Sequence, residues 1–295
     1  MAAGMDQCLV TPAYPPVVLA MSGVRRIHHL NCGSFDSLAS GPLVSHVLLC
    51  ETNDGLVLVD SGIGRSDIAA PKNRLGRVAL ALGPALRVEE TAAHQIEALG
   101  YQLSDVRHIV ATHLDYDHIG GALDFPHATV HTTAAELRTA QARRRLPERL
   151  RYRRPHVEAI TSFQTYDGTG EELLGLPTAH PIIGVEDVWL VPMPGHSIGH
   201  AGVAVRTSNR GWLFHAGDAF YHRAVLSPSR SAPISRATTL RAIELTLASI
   251  PAKVRANHQQ LRKLAHDPSQ QVTIFCAHDA VLFDRLRAEQ SPIFP

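Results

Sequence analysis

Four side chains able to bind a metal fall within six residues, His113-Leu-Asp115-Tyr-Asp117-His118. Their alternation lets a strand end and a tight loop aim His113 and Asp115 one way, with Asp117 and His118 turned toward a second position. A pair of neighbouring cations needs such an arrangement, because two ligand sets must come from one rigid frame. Ile119-Gly120-Gly121 follows, and the glycines allow a sharp turn. Three more candidates end apolar runs: His196 in PGHSIGH, Asp218 in HAGDAFY and His278 in FCAHD. A single histidine at a strand end is most often an ordinary surface or hydrogen-bonded residue. The dense cluster together with three ordered strand-end ligands argues instead for a metal centre.

The elements that must position these residues alternate along the chain. Leu43–Glu51 and Leu56–Asp60 are apolar strands around Asn53-Asp54-Gly55, a hairpin turn signal. The second strand ends in Asp60-Ser-Gly, which reads as a functional loop. The spacing of Ala92, Ala93, Ile96 and Leu99 predicts a helix over Val88–Leu99, capped by Gly100. Val106–Ala111 then forms a strand that runs into the ligand cluster, the α/β arrangement with chemistry at a strand's C-terminal end. Ala128–His131 is another strand, and Thr133–Leu146 a helix stopped by Pro147. In the second half, Val188–Val191 leads to His196. Ala201–Thr207 and Gly211–Ala216 pair across Ser208-Asn209-Arg210-Gly211 and lead to Asp218. Two helices carry Leu240–Ile250 and Val254–Ala265, and the strand Val272–Ala277 leads to His278.

Composition sets the frame. The chain has 295 residues, 45% hydrophobic and 19% charged, as expected of a globular enzyme. A formal net charge of +1 gives no whole-protein field for nucleic acid or a membrane surface. Eighteen histidines are many for this length and direct attention to metal binding. Cys8, Cys32, Cys50 and Cys276 form no CxxC pair and no disulfide framework, so reduced, buried thiols are expected. No run is long enough to span a membrane. Residues 1–20 lack a basic start and are broken by Pro12, Pro15 and Pro16, a poor signal peptide. They read as a loose tail, with Met21 as an alternative start, and cytoplasmic residence is the default.

HLDYDH resembles the HxHxDH signature of the metallo-β-lactamase superfamily. Asp60 in LVLVDSG resembles that family's first motif, and His196, Asp218 and His278 resemble its later metal motifs. The resemblance spans about residues 43–279. It implies an αββα sandwich of two mixed β-sheets with helices on the outer faces and metals at one edge. By the resemblance, His113, Asp115 and His196 would hold one divalent ion, and Asp117, His118 and His278 a second. Asp218 would bridge them, with a shared hydroxide as nucleophile. Zinc is the first expectation. Asp115 departs from the family's histidine, adds negative charge, and makes iron or manganese more competitive. Residues 1–22 are expected to be a flexible tail and 23–295 one domain, with a helical, arginine-rich insertion at about 133–170.

Tyr221 lies three residues after Asp218, a placement similar to that in the family's N-acyl-homoserine lactonases. Its phenol is the expected donor to a substrate carbonyl or leaving oxygen. Asp117 and Tyr221 are thus the expected catalytic residues. His200 and His222 read as supporting or surface residues, and His215 as part of the strand before Asp218. Arg138, Arg143, Arg144, Arg145, Arg149, Arg151, Arg153 and Arg154 form the one marked charge asymmetry. A solvated helix face is the default for such a run, and a lid for an anionic substrate the alternative. The short segment after His278 leaves no space for the C-terminal domain of glyoxalase II. The expectation is therefore a small-molecule lactone or carboxylic-ester hydrolase, acting on neither nucleic acid nor membrane, with a homodimer as the default assembly. The competing readings are a thioesterase of the glyoxalase II type and a low-turnover metal-binding sensor.

Overall fold

The computed structural model describes residues 23–37, 41–207, 211–227 and 236–289. The expected tail at 1–22, a start at Met21, Cys8 and the turn residues Ser208-Asn209-Arg210 lie outside those residues. The first sheet contains β1 (Arg26–Ser37), β2 (Gly41–Thr52), β3 (Gly55–Val59), β4 (Val106–Val110), β5 (Thr129–Thr133) and β6 (Phe163–Tyr166), ordered as numbered. The second contains β7 (Glu171–Leu173), β8 (Leu176–Pro181), β9 (Val188–Pro192), β10 (Ala201–Thr207), β11 (Gly211–His215) and β12 (Val272–Phe275). Its order is β12-β11-β10-β9-β8-β7. Both are mixed: β3–β6 pair parallel and β11 pairs parallel with β12, while their other neighbours are antiparallel.

The central strands are apolar on both faces because both faces are covered. Along β2, Leu48 and Cys50 face the second sheet, where they join Val188, Leu190, Val203, Val205 and Phe275. Val47 and Leu49 point the other way, into a layer with Ile96, Phe125 and Tyr152. The outer face of the second sheet packs Ala204, Phe214 and Ile274 against Leu261 and Leu264 of the helix Pro251–Ala265. Three apolar layers between two sheets and two sets of helices give the αββα sandwich. Cys32, Cys50 and Cys276 are free and buried. Burial holds the Cys50 thiol up at about 12, so it is neutral packing rather than a nucleophile. Among the described residues, no helix is long and apolar enough to cross a membrane.

Several elements depart from the spacing-based expectations. The helix expected from Val88 begins at Ala92, after a single 3₁₀ turn, because the Thr91 hydroxyl caps it by accepting from the His94 N–H. The helix expected to run from Thr133 to Leu146 spans Ala134–Ala142 and ends at Arg143, which adopts a left-handed φ of 42°. Pro147 does not stop that helix; it opens the next one, Leu146–Arg151, in whose first turn its missing N–H costs nothing. Within 133–170 a third short helix spans Arg154–Val157, and Phe163–Tyr166 forms the edge strand β6.

Candidate metal centre

All the ligand candidates follow the C-terminal ends of strands that share one edge of the sandwich. Asp60 follows β3 and His113 follows β4; His196, Asp218 and His278 follow β9, β11 and β12. Asp115 is the N-cap of a one-turn helix, Tyr116–Ile119, that carries Asp117 and His118. The sheets are tied together at this edge: the Ala201 N–H donates to the Thr112 carbonyl at 2.8 Å and the His46 N–H to that of Ala277 at 2.9 Å. Gly120 and Gly121 serve a different purpose from the expected sharp turn, since neither has a positive φ. A Cβ on Gly121 would collide with the Ser61 carbonyl, and one on Gly120 with the Asp67 carboxylate. The glycines let the ligand loop lie directly against the loop after β3.

The seven candidate side chains converge. Asp115 Oδ2 lies 3.3 Å from His113 Nε2 and 3.1 Å from His196 Nε2. Asp218 Oδ2 closes that group at 3.9 Å from His113 Nε2 and 3.5 Å from His196 Nε2. The other carboxylate oxygen, Asp218 Oδ1, lies 3.4 Å from His118 Nε2 and 3.1 Å from His278 Nε2. Asp117 Oδ2 completes the second group, 3.9 Å from His118 Nε2 and 3.7 Å from His278 Nε2. His278 Nε2 is also 3.2 Å from Asp218 Oδ2, so it stands near the midline. Four-coordinate zinc with N and O bonds of about 2.0–2.2 Å spaces its ligand atoms about 3.3–3.6 Å apart, which both groups approximate.

Orphaned atoms mark where cations fit. His113 Nε2, His118 Nε2, Asp115 Oδ1 and Asp218 Oδ1 are buried without a hydrogen-bond partner. Such groups are costly unless something else satisfies them. The four histidines share one pattern: Nδ1 is anchored outward and Nε2 faces in. His118 Nδ1 lies 2.8 Å from Asp60 Oδ2 and donates to it; His278 Nδ1 donates to the Val44 carbonyl at 2.8 Å. His113 Nδ1 lies 3.1 Å from Thr112 Oγ1, whose hydroxyl donates to Asp60 Oδ2 at 2.9 Å. His196 Nδ1 lies 3.4 Å from Tyr221 Oη. Anchoring one ring nitrogen fixes the tautomer and aims the lone pair of the other, as metal-binding histidines require. Asp60, at a left-handed φ of 60°, thus orients His113 and His118 together.

Some contributors had no signal in the sequence. Glu136 is completely buried on the helix Ala134–Ala142. It accepts from the Leu114 N–H at 3.0 Å, the Gly199 N–H at 3.0 Å and the Ser197 hydroxyl at 2.6 Å. One carboxylate therefore pins the His113–His118 loop to the His196 loop. His200 is buried, and its Nε2 accepts from the Asp218 N–H at 2.9 Å. His215 ends β11 and donates through Nε2 to the His46 carbonyl at 2.6 Å, while His222 accepts from the Ala224 N–H. Of the arginine run, Arg149 stays exposed. Arg151 turns inward, with Nη1 2.8 Å from Asp115 Oδ2 and 2.5 Å from His196 Nε2. A cleft of about 340 Å³ lined by Tyr166, His180, Met193 and Asn257 contains none of the seven ligand candidates.

Glu136→Ala leaves three buried donors without an acceptor and should cost at least about 2–4 kcal/mol. Glu136→Gln, which keeps one acceptor oxygen, should cost less. Urea denaturation measures both; equal stability of all three proteins would refute the clamp.

A family model for the metallo-beta-lactamase superfamily matches residues 40–268. A probable metallo-hydrolase of Mycobacterium tuberculosis is 46% identical over 265 residues, 89% of this chain and 83% of its own length. An N-acyl homoserine lactonase of Bacillus cereus is 27% identical over 191 residues, 63% of this chain and 68% of its own. A solved N-acyl homoserine lactone hydrolase, with the product N-hexanoyl-L-homoserine bound at its catalytic metal centre, superposes with a TM-score of 0.67 at 20% identity. That alignment covers 89% of this chain and 96% of the other, and at such identity it speaks to fold alone. Enzymes of this family bind divalent metal ions, and the His/Asp clusters here could hold them. On the match over most of its length and the 46% identity, the chain belongs to the metallo-beta-lactamase superfamily.

Proposed function

We propose that this protein is a two-metal hydrolase that opens a lactone or cleaves a carboxylic ester, with Asp115, His113 and His196 holding one ion, Asp117, His118 and His278 the other, and Asp218 both. The single observation that carries the reading is the Asp218 carboxylate, whose Oδ2 faces His113 and His196 and whose Oδ1 faces His118, with His278 near both oxygens. Zinc suits the imidazole-rich donor set. When bound, two such ions supply hydroxide near neutral pH and polarise the carbonyl under attack. The lactonases among the relatives favour a lactone as substrate. The proposal includes residues 23–295 as one domain, cytoplasmic residence and a homodimer.

Tyr221 is the proposed donor to the substrate. The His196 imidazole N–H meets its oxygen from one side, which leaves the phenol proton free to donate elsewhere. Burial and the nearby Asp218 carboxylate push its pKa well above that of free tyrosine, so the proton stays in place. A neutral phenol can steady a carbonyl oxygen as charge builds on it, or protonate the leaving alkoxide. Asp117, partly exposed beside His118 and His278, is the proposed proton acceptor.

The buried carboxylates also set the proton balance of metal binding. Burial opposes a charge on His118, yet Asp218, Asp60 and Asp117 raise its pKa to about 10; burial likewise opposes charge on His278, which Asp218 and Asp117 raise. The His118 ring is cationic in the metal-free protein at pH 7.5, and a cation must displace its Nε2 proton. Zinc binding should therefore release protons, about one per chain from His118 alone, and affinity should rise with pH. Indicator dye in weak buffer reads this directly; zinc uptake with no acidification would contradict it.

Tyr221→Phe should lower turnover about ten- to a thousand-fold while metal content is unchanged. The assay is pH-stat hydrolysis of a panel of lactones, esters and thioesters, with and without chelator. Unaltered turnover in the variant would return Tyr221 to packing. Hydrolysis untouched by chelator, or none on any substrate, would overturn the proposed activity.

A further inference from the structure

The histidine expected at position 115 from the family signature is an aspartate here, and an arginine comes with it. Arg151 ends the helix Leu146–Arg151, and its side chain is 12% exposed. Nη1 reaches Asp115 Oδ2 at 2.8 Å and His196 Nε2 at 2.5 Å; Nη2 donates to the Leu247 carbonyl at 2.6 Å. Leu247 closes the helix Arg236–Leu247, where the unpaired terminal carbonyls favour a cation.

A neutral imidazole has one acceptor nitrogen. At His196 the Nδ1 side is taken up by Tyr221 Oη, which leaves the Nε2 lone pair as the acceptor. That lone pair can meet an Arg151 N–H or a metal ion, not both. Asp115 is not limited in this way. Its Oδ2, which faces His113 and His196, carries more than one lone pair and can keep Arg151, and its Oδ1 is buried without a partner. No arginine enters the second ligand group: among the described residues, Asp117 pairs with His118 and His278.

We propose that Arg151 is a tethered cation that closes the Asp115–His196 half of the centre, so this half fills second, after Arg151 releases His196. Arg151 keeps its bonds to Asp115 and the Leu247 carbonyl when it does so. The charge of Asp115 is thereby offset within the protein. This reverses the expectation that an aspartate makes the site more anionic and shifts it toward harder metals. The inference rests on the two-ion reading above.

The test is zinc titration of metal-free protein against a competing chromophoric chelator, comparing the native chain with Arg151→Met and, as a control, Arg149→Met. Arg149 is exposed on the same helix. The native chain should take its second equivalent more weakly than its first. Arg151→Met should tighten the second about ten- to a hundred-fold, the scale of one charge-assisted hydrogen bond, and change the first less than about three-fold. Arg149→Met should match the native chain. In the native protein, the ¹⁵N resonance of His196 Nε2 should move with the second equivalent, which needs no variant to fold. Its moving with the first, or a second equivalent unchanged or weakened by Arg151→Met, would overturn the inference. Two equally tight equivalents in both proteins would leave the two-ion reading standing and overturn this one alone. No zinc bound by either would sink both.

Discussion

Carboxylates gathered where water is scarce dominate this molecule. Asp218 and Asp60 are buried, and Asp115 and Asp117 are partly buried beside them. Anionic groups at such separation do not coexist in a low-dielectric setting without positive charge among them. In the metal-free chain that charge comes from protonated His118 and from the Arg151 guanidinium, and the same carboxylates pull His278 toward its charged form. Divalent ions would supply it more compactly. The unpartnered nitrogens and oxygens around Asp218 are the trace of that exchange.

The sandwich provides what this charge arrangement requires, which is rigidity without flexible ligands. Strands from both sheets end at one edge, so short loops deliver the donors. Buried carboxylates then lock those loops: Asp60 beneath His113 and His118, Glu136 between the His113 and His196 segments. Glycines permit the close backbone contact that keeps these loops layered. Each imidazole is held by its outer nitrogen, so the inner nitrogens converge before any ion arrives.

Much of this was legible in the chain because the signals are local. His113 to His118 lie within one loop, and each remaining donor ends a short apolar strand. The central strands and the clustering of donors at their ends follow from those features, while the sandwich was what the resemblance to the metallo-β-lactamase signature implied. The edge strands were harder to read. β6, β7 and β8 are three to six residues long, too short for a clear alternation, and β7 is mostly exposed. Pro147 looked like a terminator because its effect depends on which helix it belongs to. Glu136 and Arg151 gave no local sign at all. Glu136 looks like an ordinary helix residue and Arg151 like one member of a solvated basic run. Their roles exist only once residues 22 to 96 positions away in sequence are brought beside them.

The most direct trial of the account is anomalous diffraction, at the zinc absorption edge, from crystals soaked in a zinc salt. Two peaks should stand on opposite sides of the Asp218 carboxylate, one among His113, Asp115 and His196, the other among Asp117, His118 and His278. A map with no peak there, or with ions held by other residues, would contradict the claim that these seven side chains form a single two-ion centre.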